Sequence, residues 1–351
     1  MSPVKRKRSF GLLFVITALL AGALGYWGIS RYLGFADAPL AGVQSGQTLL
    51  VESGDSLAVV LRKLRAAGIG NVEKLQWQAL ARQLDAAGRL QVGEYALDPG
   101  TTPRLLLQHM RDGKVISHRF TIVEGWNIRE LRAALAKAQL LGQETVQLDD
   151  AALMKLLGHA GQHPEGRFLP ETYVYTRGDS DHDLLERAYA AMQKALDAAW
   201  NSRAAGVPLK SKDEALVLAS VVEKETGIAE ERPAIAGVFV RRLQLGMKLQ
   251  TDPTVIYGMD ANYTGNIRKT DLLTDTPYNT YTRAGLPPTP IAMPGVAALQ
   301  AATHPAAGNA LYFVALGDGS GRHAFTSSLA EHEAAVRNYL QRYRQQQRQS
   351  Q

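Results

Sequence analysis

Cysteine is absent from the 351 residues of the chain. Its absence excludes disulfide bonds, thiol nucleophiles and cysteine-ligated metal centres, and it leaves the redox compartment open. Among the eight histidines, His304 and His323 lack the spacing to carboxylates that zinc sites show. The sequence therefore predicts neither a metal ion nor a cofactor.

An excess of basic residues in the body of the chain is also missing, although the net charge is +6. Four basic residues at positions 5–8 and four arginines within 337–351 supply more than this excess, so the body between them is slightly acidic. Nucleic-acid-binding proteins normally carry their positive charge clustered on the folded domain. The charge pattern therefore argues against nucleic acid as a partner.

Charged residues are missing from 10–29, an apolar run just long enough to cross a bilayer. The basic cluster before it predicts a cytoplasmic tail at 1–9 and places everything after the run outside the cytoplasm. The alternative is a signal peptide cleaved after Ala23. Because the apolar run continues to Ile29, longer than a signal core requires, an uncleaved transmembrane anchor is favoured.

After the apolar run, residues 30–46 are predicted to be a linker, since they contain few large apolar groups. Residues 47–115 then show a strand–helix–helix–strand pattern. Its start, Val51-Glu-Ser-Gly-Asp-Ser-Leu57, resembles a LysM module, and such modules bind N-acetylglucosamine chains. The alternative is a purely structural arm. Beyond 116, strands and helices mix without regular βαβ alternation, which predicts an α+β fold.

One apolar helix is predicted between Ser211 and Gly227. Ser211 and Glu214 have the spacing of a capping box, and Gly227 is expected to be the C′ residue that ends the helix. No charge occurs from 215 to 222, which indicates that this helix is covered on most sides.

Two glutamates follow that apolar stretch. Glu223 lies on the same face as Leu216 and Ala219, so apolar neighbours should favour its neutral form, which a general acid needs. Glu225 lies about 200° around the helix, so the two carboxyl groups cannot share one site. The alternative is that both simply begin the solvated end of a core helix.

Residues 246–258 and 277–295 are rich in proline, glycine, tyrosine and asparagine and lack regular periodicity. Long ordered loops of this kind are usually functional. Tyrosine rings and asparagine amides beside rigid prolines suit a groove for a sugar polymer.

The runs at 219–226, 249–258, 278–281 and 285–288 resemble, in order, the endolytic murein lytic transglycosylase family (YceG-like). Thr289 and Met293 depart from the family pattern, which affects local loop detail. The resemblance implies a catalytic region at 116–345, with its core at 206–345. It also implies cleavage of MurNAc–GlcNAc β-1,4 bonds in nascent peptidoglycan, leaving 1,6-anhydroMurNAc ends and limiting glycan elongation.

In this family the catalytic glutamate is the first of Glu-Lys-Glu, which implies Glu223 as the single acid/base, with Glu225 as the fallback. Asp252 is the best second carboxylate, either as a backbone cap or for substrate positioning. The tentative substrate contacts are Thr251, Asp252, Tyr257, Tyr278, Asn279 and Tyr281. The arginines at 232, 241 and 242 are predicted to be surface or capping charges, one of which could face peptide carboxylates of the cell wall.

Two other interpretations stay open. A muramidase would use water with Glu223 and Asp252 as a carboxylate pair. A non-catalytic protein would bind glycan through the LysM-like part and act as a scaffold for wall synthases. The expected partners are peptidoglycan strands, the cytoplasmic membrane and penicillin-binding synthases, with a single-pass inner-membrane location and a periplasmic catalytic domain.

Overall fold

A computed structural model describes residues 5–349. Helices and short strands are mixed, which confirms the α+β prediction. The chain divides into two compact units: the first comprises residues up to His118 together with Thr176–Gly178, and the second comprises the rest.

The first unit begins with α1 (Lys5–Asp37). It continues through β1 (Gln47–Val51), α2 (Leu57–Ala66), α3 (Lys74–Gln83), β2 (Gly93–Leu97) and α4 (Pro103–Asp112). β1 and β2 pair antiparallel with Leu49 opposite Tyr95. Helix α2 contacts β1 and helix α4 contacts β2, and Trp77, Tyr95 and Leu64 are fully buried in the core of this unit. The predicted strand–helix–helix–strand order is confirmed, whereas the likeness to LysM stays a prediction.

Helix α1 contains the one segment of the described chain that is long and apolar enough to cross a membrane, Leu13–Asp37, with mean hydropathy 1.8. The helix ends eight residues beyond the predicted limit at Ile29, so the predicted linker at 30–46 is wrong over its first part. No proline interrupts the helix before Pro39. Ala36 and Leu40 are buried in the core of the first unit, so part of the predicted linker is packed against that unit.

The second unit contains two further two-stranded sheets and most of the helices. β3 (Ser117–Thr121) pairs with β4 (Thr172–Thr176), and β5 (Tyr312–Ala315) pairs antiparallel with β6 (His323–Thr326) as the predicted hairpin. The helices are α5 (Ile128–Leu135), α6 (Asp150–Leu156), α7 (Asp181–Asn201), α8 (Lys212–Glu225), α9 (Arg232–Gln244), α10 (Asp252–Met259), α11 (Lys269–Leu273), α12 (Val296–Thr303) and α13 (Leu329–Gln349).

Helix α8 is the centre of this unit. Every residue from Ala215 to Glu223 is buried, and α7, α9 and α12 pack around it. The prediction that 246–258 is irregular is wrong in its second half, because α10 begins at Asp252 with Pro253 in its first turn. Proline is favoured there because its missing N–H would be unpaired in any case.

Candidate active site

The two ends of α8 set the positions of the candidate acids. Ser211 accepts a hydrogen bond from the Glu214 N–H at 3.2 Å, as predicted, but the Glu214 carboxylate accepts from the N–H of Lys210 instead of completing the capping box. The helix ends at Glu225 with Thr226 as an extended C-cap, so Gly227 is the first residue after the cap, as predicted. The backbone therefore leaves the helix immediately after Glu225.

Glu223 is held in an ion pair. Its Oε1 accepts from Nη2 of Arg232 at 2.8 Å, and its Oε2 accepts from the N–H of Gly295 at 2.9 Å. The two charged side chains are only 4% and 9% exposed. Burial raises the pKa of Glu223, while the Gly295 N–H and Arg232 oppose that rise. Both carboxylate oxygens are thus occupied by structural partners.

Glycine is required at position 295 for this arrangement. A Cβ atom there would lie 2.0 Å from Oε1 of Glu124, whose other oxygen is 3.3 Å from Nη2 of Arg232. Glu124, Arg232 and Glu223 therefore form one charge cluster that fixes the start of α12 against the end of α8.

Glu225 has a different environment. It is half-buried, forms no ion pair with any described residue, and accepts a hydrogen bond from the Thr251 hydroxyl. Burial raises the pKa of Glu225 to about 7, and the nearby Asp252 charge adds to the rise. A carboxyl group with this pKa is partly protonated near neutral pH, as a general acid requires.

A cavity of about 530 Å³ lies beside Glu225. Oxygen-bearing side chains from Glu225, Thr251, Asp252 and Tyr281 are part of its lining. The lining also includes Arg242 of α9, Tyr312 and Phe313 of β5, and His332 of α13. Its size falls within the range of pockets that bind small ligands or part of a polymer.

The structure brings three of the predicted substrate contacts together around this cavity: Thr251, Asp252 and Tyr281. The hydroxyl of Tyr281 donates to Oδ1 of Asp252 at 2.5 Å. That bond fixes the carboxylate of the first α10 residue at the cavity edge. Glu223 is not among the residues that line the cavity.

The other three predicted contacts also lie outside the cavity lining and have structural partners. Tyr257 donates to the buried Glu165 at 2.9 Å, and Tyr278 shares a hydrogen bond of 2.8 Å with Thr289. Asn279, 1% exposed, donates to the carbonyls of the loop at 271–274 and accepts from the Tyr281 N–H. These residues stabilise the loops that carry Asp252 and Tyr281.

Sequence reasoning missed Tyr312 and His332 in the lining, because they come from elements distant in the chain from Arg242 and Glu225. Of the arginines of α9, predicted to be surface or capping charges, Arg232 and Arg242 are not on the surface, since both are only 7% exposed, although Arg242 does donate to backbone carbonyls. Arg241 does cap carbonyls, since it donates to Ala310 and Ala306. Within residues 5–349, no group of three or more His, Asp or Glu side chains is placed to hold a metal ion.

Comparisons with known proteins show which family the chain resembles. The profile of the YceG-like family matches residues 49–338. A Bacillus subtilis protein named endolytic murein transglycosylase is 29% identical over 307 residues, covering 83% of this chain and 84% of that protein. A Streptococcus pneumoniae protein of the same name is 33% identical over 160 residues, 43% of this chain and 28% of that one. A crystal structure of a putative YceG-like protein from Listeria monocytogenes is 26% identical, with a TM-score of 0.49, and covers 82% of this chain and 98% of its own.

Proposed function

Since the chain belongs to the YceG-like family, we propose that it is a peptidoglycan lytic transglycosylase that cuts within glycan strands. The observation that carries the proposal is the cavity in which a carboxyl group with a pKa of about 7, Glu225, lies beside Thr251, Asp252 and Tyr281. The names of the Bacillus and Streptococcus relatives support the same activity.

We assign the acid/base role to Glu225 and not to Glu223, the residue that the family resemblance implies. Glu223 is occupied by Arg232 and Gly295, and its carboxyl group lies outside the cavity lining. A carboxyl group that has to give up a proton and then take one needs access to substrate and no permanent counter-ion. Glu225 meets both conditions.

The reaction needs only one such group. Protonated Glu225 gives its proton to the glycosidic oxygen, and the bond between that oxygen and the MurNAc anomeric carbon breaks. The 6-hydroxyl of the same MurNAc then attacks the anomeric carbon, and Glu225, now a carboxylate, takes the hydroxyl proton. The products are a free GlcNAc hydroxyl and a 1,6-anhydroMurNAc end, and no water is consumed. The Thr251 hydroxyl orients the Glu225 carboxyl group throughout.

Asp252 serves to position substrate. Its Oδ1 is already an acceptor for Tyr281, and its second oxygen can accept from a sugar hydroxyl. The second candidate function is a muramidase, because Glu225 and Asp252 line the same cavity and hydrolases normally use two carboxylates. In that reaction Asp252 would activate a water molecule.

We further propose that α1 anchors the protein in the cytoplasmic membrane, with residues 1–9 inside and the catalytic unit in the periplasm. The apolar composition of Leu13–Asp37 and the basic residues before it support this topology. The LysM-like part at 47–115 would bind N-acetylglucosamine chains. An anchored enzyme would act on nascent strands beside penicillin-binding synthases and limit glycan elongation.

The test is mass spectrometry of the products from purified glycan strands cut in isotope-labelled water. A lytic transglycosylase gives ends lighter by one water and without label, whereas a muramidase gives labelled reducing ends. The Glu225→Gln protein is the control for contaminating activity. Unaltered strands after incubation with the folded wild-type protein would contradict both functions and leave the scaffold interpretation.

A further inference from the structure

Arg242 is a buried cation with unused hydrogen-bonding capacity in the wall of the cavity. It is 7% exposed and forms no ion pair with any residue in the described part of the chain. Its Nε donates to the carbonyl of Leu311 at 2.7 Å, and its Nη1 donates to those of Lys248 and Leu249 at 3.1 and 2.9 Å, with a longer contact to Gln250. Within residues 5–349, Nη2 donates no hydrogen bond.

One ring packs against the guanidinium, and a second ring supports the first. The central carbon of the guanidinium lies 5.0 Å from the centre of the Tyr312 ring, and that ring stacks on His332 with centroids 5.1 Å apart and planes 20° apart. All three side chains line the cavity. A guanidinium packed against a ring and bonded to three carbonyls has little freedom to turn away, so its free edge is preorganised.

A buried charge normally has an ionic partner, because moving an unpaired charge out of water is costly. Arg232, on the same helix, has Glu223 as its partner. The two carboxylates that line the cavity do not pair with Arg242: Asp252 is bonded to Tyr281, and Glu225 to Thr251. The missing partner is therefore expected from the ligand, as an anionic group with two oxygens that matches the guanidinium edge.

The inference rests on the function proposed above, which limits the anionic groups available. The sugars of peptidoglycan are uncharged, and its carboxylates belong to the lactyl group of MurNAc or to the peptide attached to it. We propose that Arg242, held by Tyr312 and His332, binds a carboxylate of the MurNAc substituent and so makes cleavage depend on that charge.

Three glycan preparations separate the sources of the carboxylate. The first keeps its peptides. The second is stripped by an amidase and keeps free lactyl carboxylates. The third is the stripped glycan with those carboxylates converted to neutral methylamides. Of the first two preparations, the one that is cut faster should have a wild-type kcat/KM about 10- to 100-fold higher than the methylamide glycan. This is the effect of one charged hydrogen-bonded contact. Preference for the first glycan over the second assigns the contact to the peptide, and the reverse assigns it to the lactyl group.

Arg242→Gln should reduce the ratio of kcat/KM on the carboxylate-bearing glycan to kcat/KM on the methylamide glycan towards one. The main cause should be a higher KM on the carboxylate-bearing glycan. Arg242→Lys should keep part of it. Arg241→Gln is the matched control, because Arg241 also donates to two backbone carbonyls but does not line the cavity. It should leave the ratio unchanged. If Arg242→Gln does not fold, Tyr312→Leu is the substitute variant. It removes the ring that packs against the guanidinium, so it should also lower the ratio of kcat/KM values.

The wild-type protein alone can overturn the inference. Equal cleavage of all three glycans would show that no carboxylate is recognised, while the proposed function would stand. Failure to cut any of them would instead reject the proposed function. A ratio that falls equally in Arg241→Gln and Arg242→Gln would show that both arginines act only through the fold.

Discussion

Glu223 and Arg232 form a buried ion pair at 2.8 Å, on the side of α8 that faces away from the Glu225 carboxyl group. Two residues further along the same helix, Glu225 has only the Thr251 hydroxyl and the cavity beside it. One Glu-Lys-Glu sequence therefore supplies a carboxylate paired with an arginine and an unpaired carboxyl group beside a cavity, because successive positions on a helix point in different directions.

Glu225→Gln should lower cleavage of glycan strands by about 10²- to 10⁴-fold, the usual contribution of a general acid/base. The change is nearly isosteric and keeps an oxygen to accept from Thr251, so the unfolding transition should stay close to that of the wild type. Activity is measured on purified strands and folding by circular dichroism. A folded Glu225→Gln protein with full activity would reject the assignment.

Glu223→Gln should chiefly destabilise the protein. Removing one partner of a buried ion pair leaves Arg232 without full compensation, which typically costs about 3–5 kcal/mol. The partly exposed Glu124, 3.3 Å from Arg232, should reduce this loss of stability, because it still compensates part of the Arg232 charge. Urea unfolding measures the effect, and activity is compared per folded molecule. A stable Glu223→Gln protein that is inactive, together with an active Glu225→Gln protein, would restore Glu223 as the acid.

The sequence predicted the buried helix and the opposite directions of its two glutamates, but not which of them faces a cavity. That depends on residues that are distant in the chain. Arg232 and Gly295 bind the carboxylate of Glu223 on one side of the helix end. Thr251 and Tyr312 line the cavity next to Glu225 on the other side. Periodicity reports which face of a helix is covered and carries no information on what covers it.

The predicted sugar contacts in the loops depend on distant residues in the same way. Tyrosine and asparagine in a proline-rich stretch suggested sugar contacts, yet Tyr257, Tyr278 and Asn279 use their polar atoms to hold the loops themselves. A polar side chain in a compact loop often satisfies backbone groups that the loop would otherwise leave unpaired. Only Thr251, Asp252 and Tyr281 of the predicted contacts line the cavity.

Asp252→Asn separates the two candidate reactions. If Asp252 only positions substrate, the variant should cut more slowly and still give unlabelled anhydro ends, since asparagine can still accept from Tyr281. Tyr281→Phe, which removes the same hydrogen bond from the other side, should cause a similar loss. Product mass and kcat/KM are the measurements. Labelled reducing ends from the wild type, with a loss in Asp252→Asn as deep as in Glu225→Gln, would favour the muramidase.

Glu165 should make stability depend on pH. It is fully buried, accepts from the Ile128 N–H and the Tyr257 hydroxyl, and burial raises its pKa from 4.5 to about 7. The proton is bound more tightly in the folded protein, so this contribution to stability is fully present below pH 4.5 and is lost as the pH rises through 7.

Over that interval the free energy of unfolding should fall by up to about 3 kcal/mol because of Glu165 alone. Glu165→Gln does not titrate, so the difference in unfolding free energy between wild type and variant should change with pH by this amount. Denaturant titrations from pH 4 to 8 measure it, and Glu171→Gln, a change on the surface, is the control. Parallel stability curves for wild type and Glu165→Gln would show that Glu165 does not titrate in this range.

The segment after the apolar run should contribute to the stability of the first unit. Leu40 is buried and its N–H donates to the carbonyl of Thr101 at 2.8 Å, and Asp37 pairs with Arg104 at 2.7 Å. A soluble form that begins at Arg31 should therefore unfold at a higher temperature than one that begins at Gln47. Equal unfolding temperatures would mean that these contacts add nothing.

The anchor itself is expected to set which substrate the enzyme meets. Both soluble forms keep the whole second unit, with Glu225 and its cavity, so both should cut isolated strands at the wild-type rate. In cells, the form that begins at Arg31, exported to the periplasm, should fail to replace the full chain at equal abundance, because nascent strands emerge at the membrane surface. Glycan length distributions and immunoblots measure this. Full rescue by the soluble form would show that the anchor is dispensable, and a native protein beginning at Leu24 would show that the apolar run is a cleaved signal.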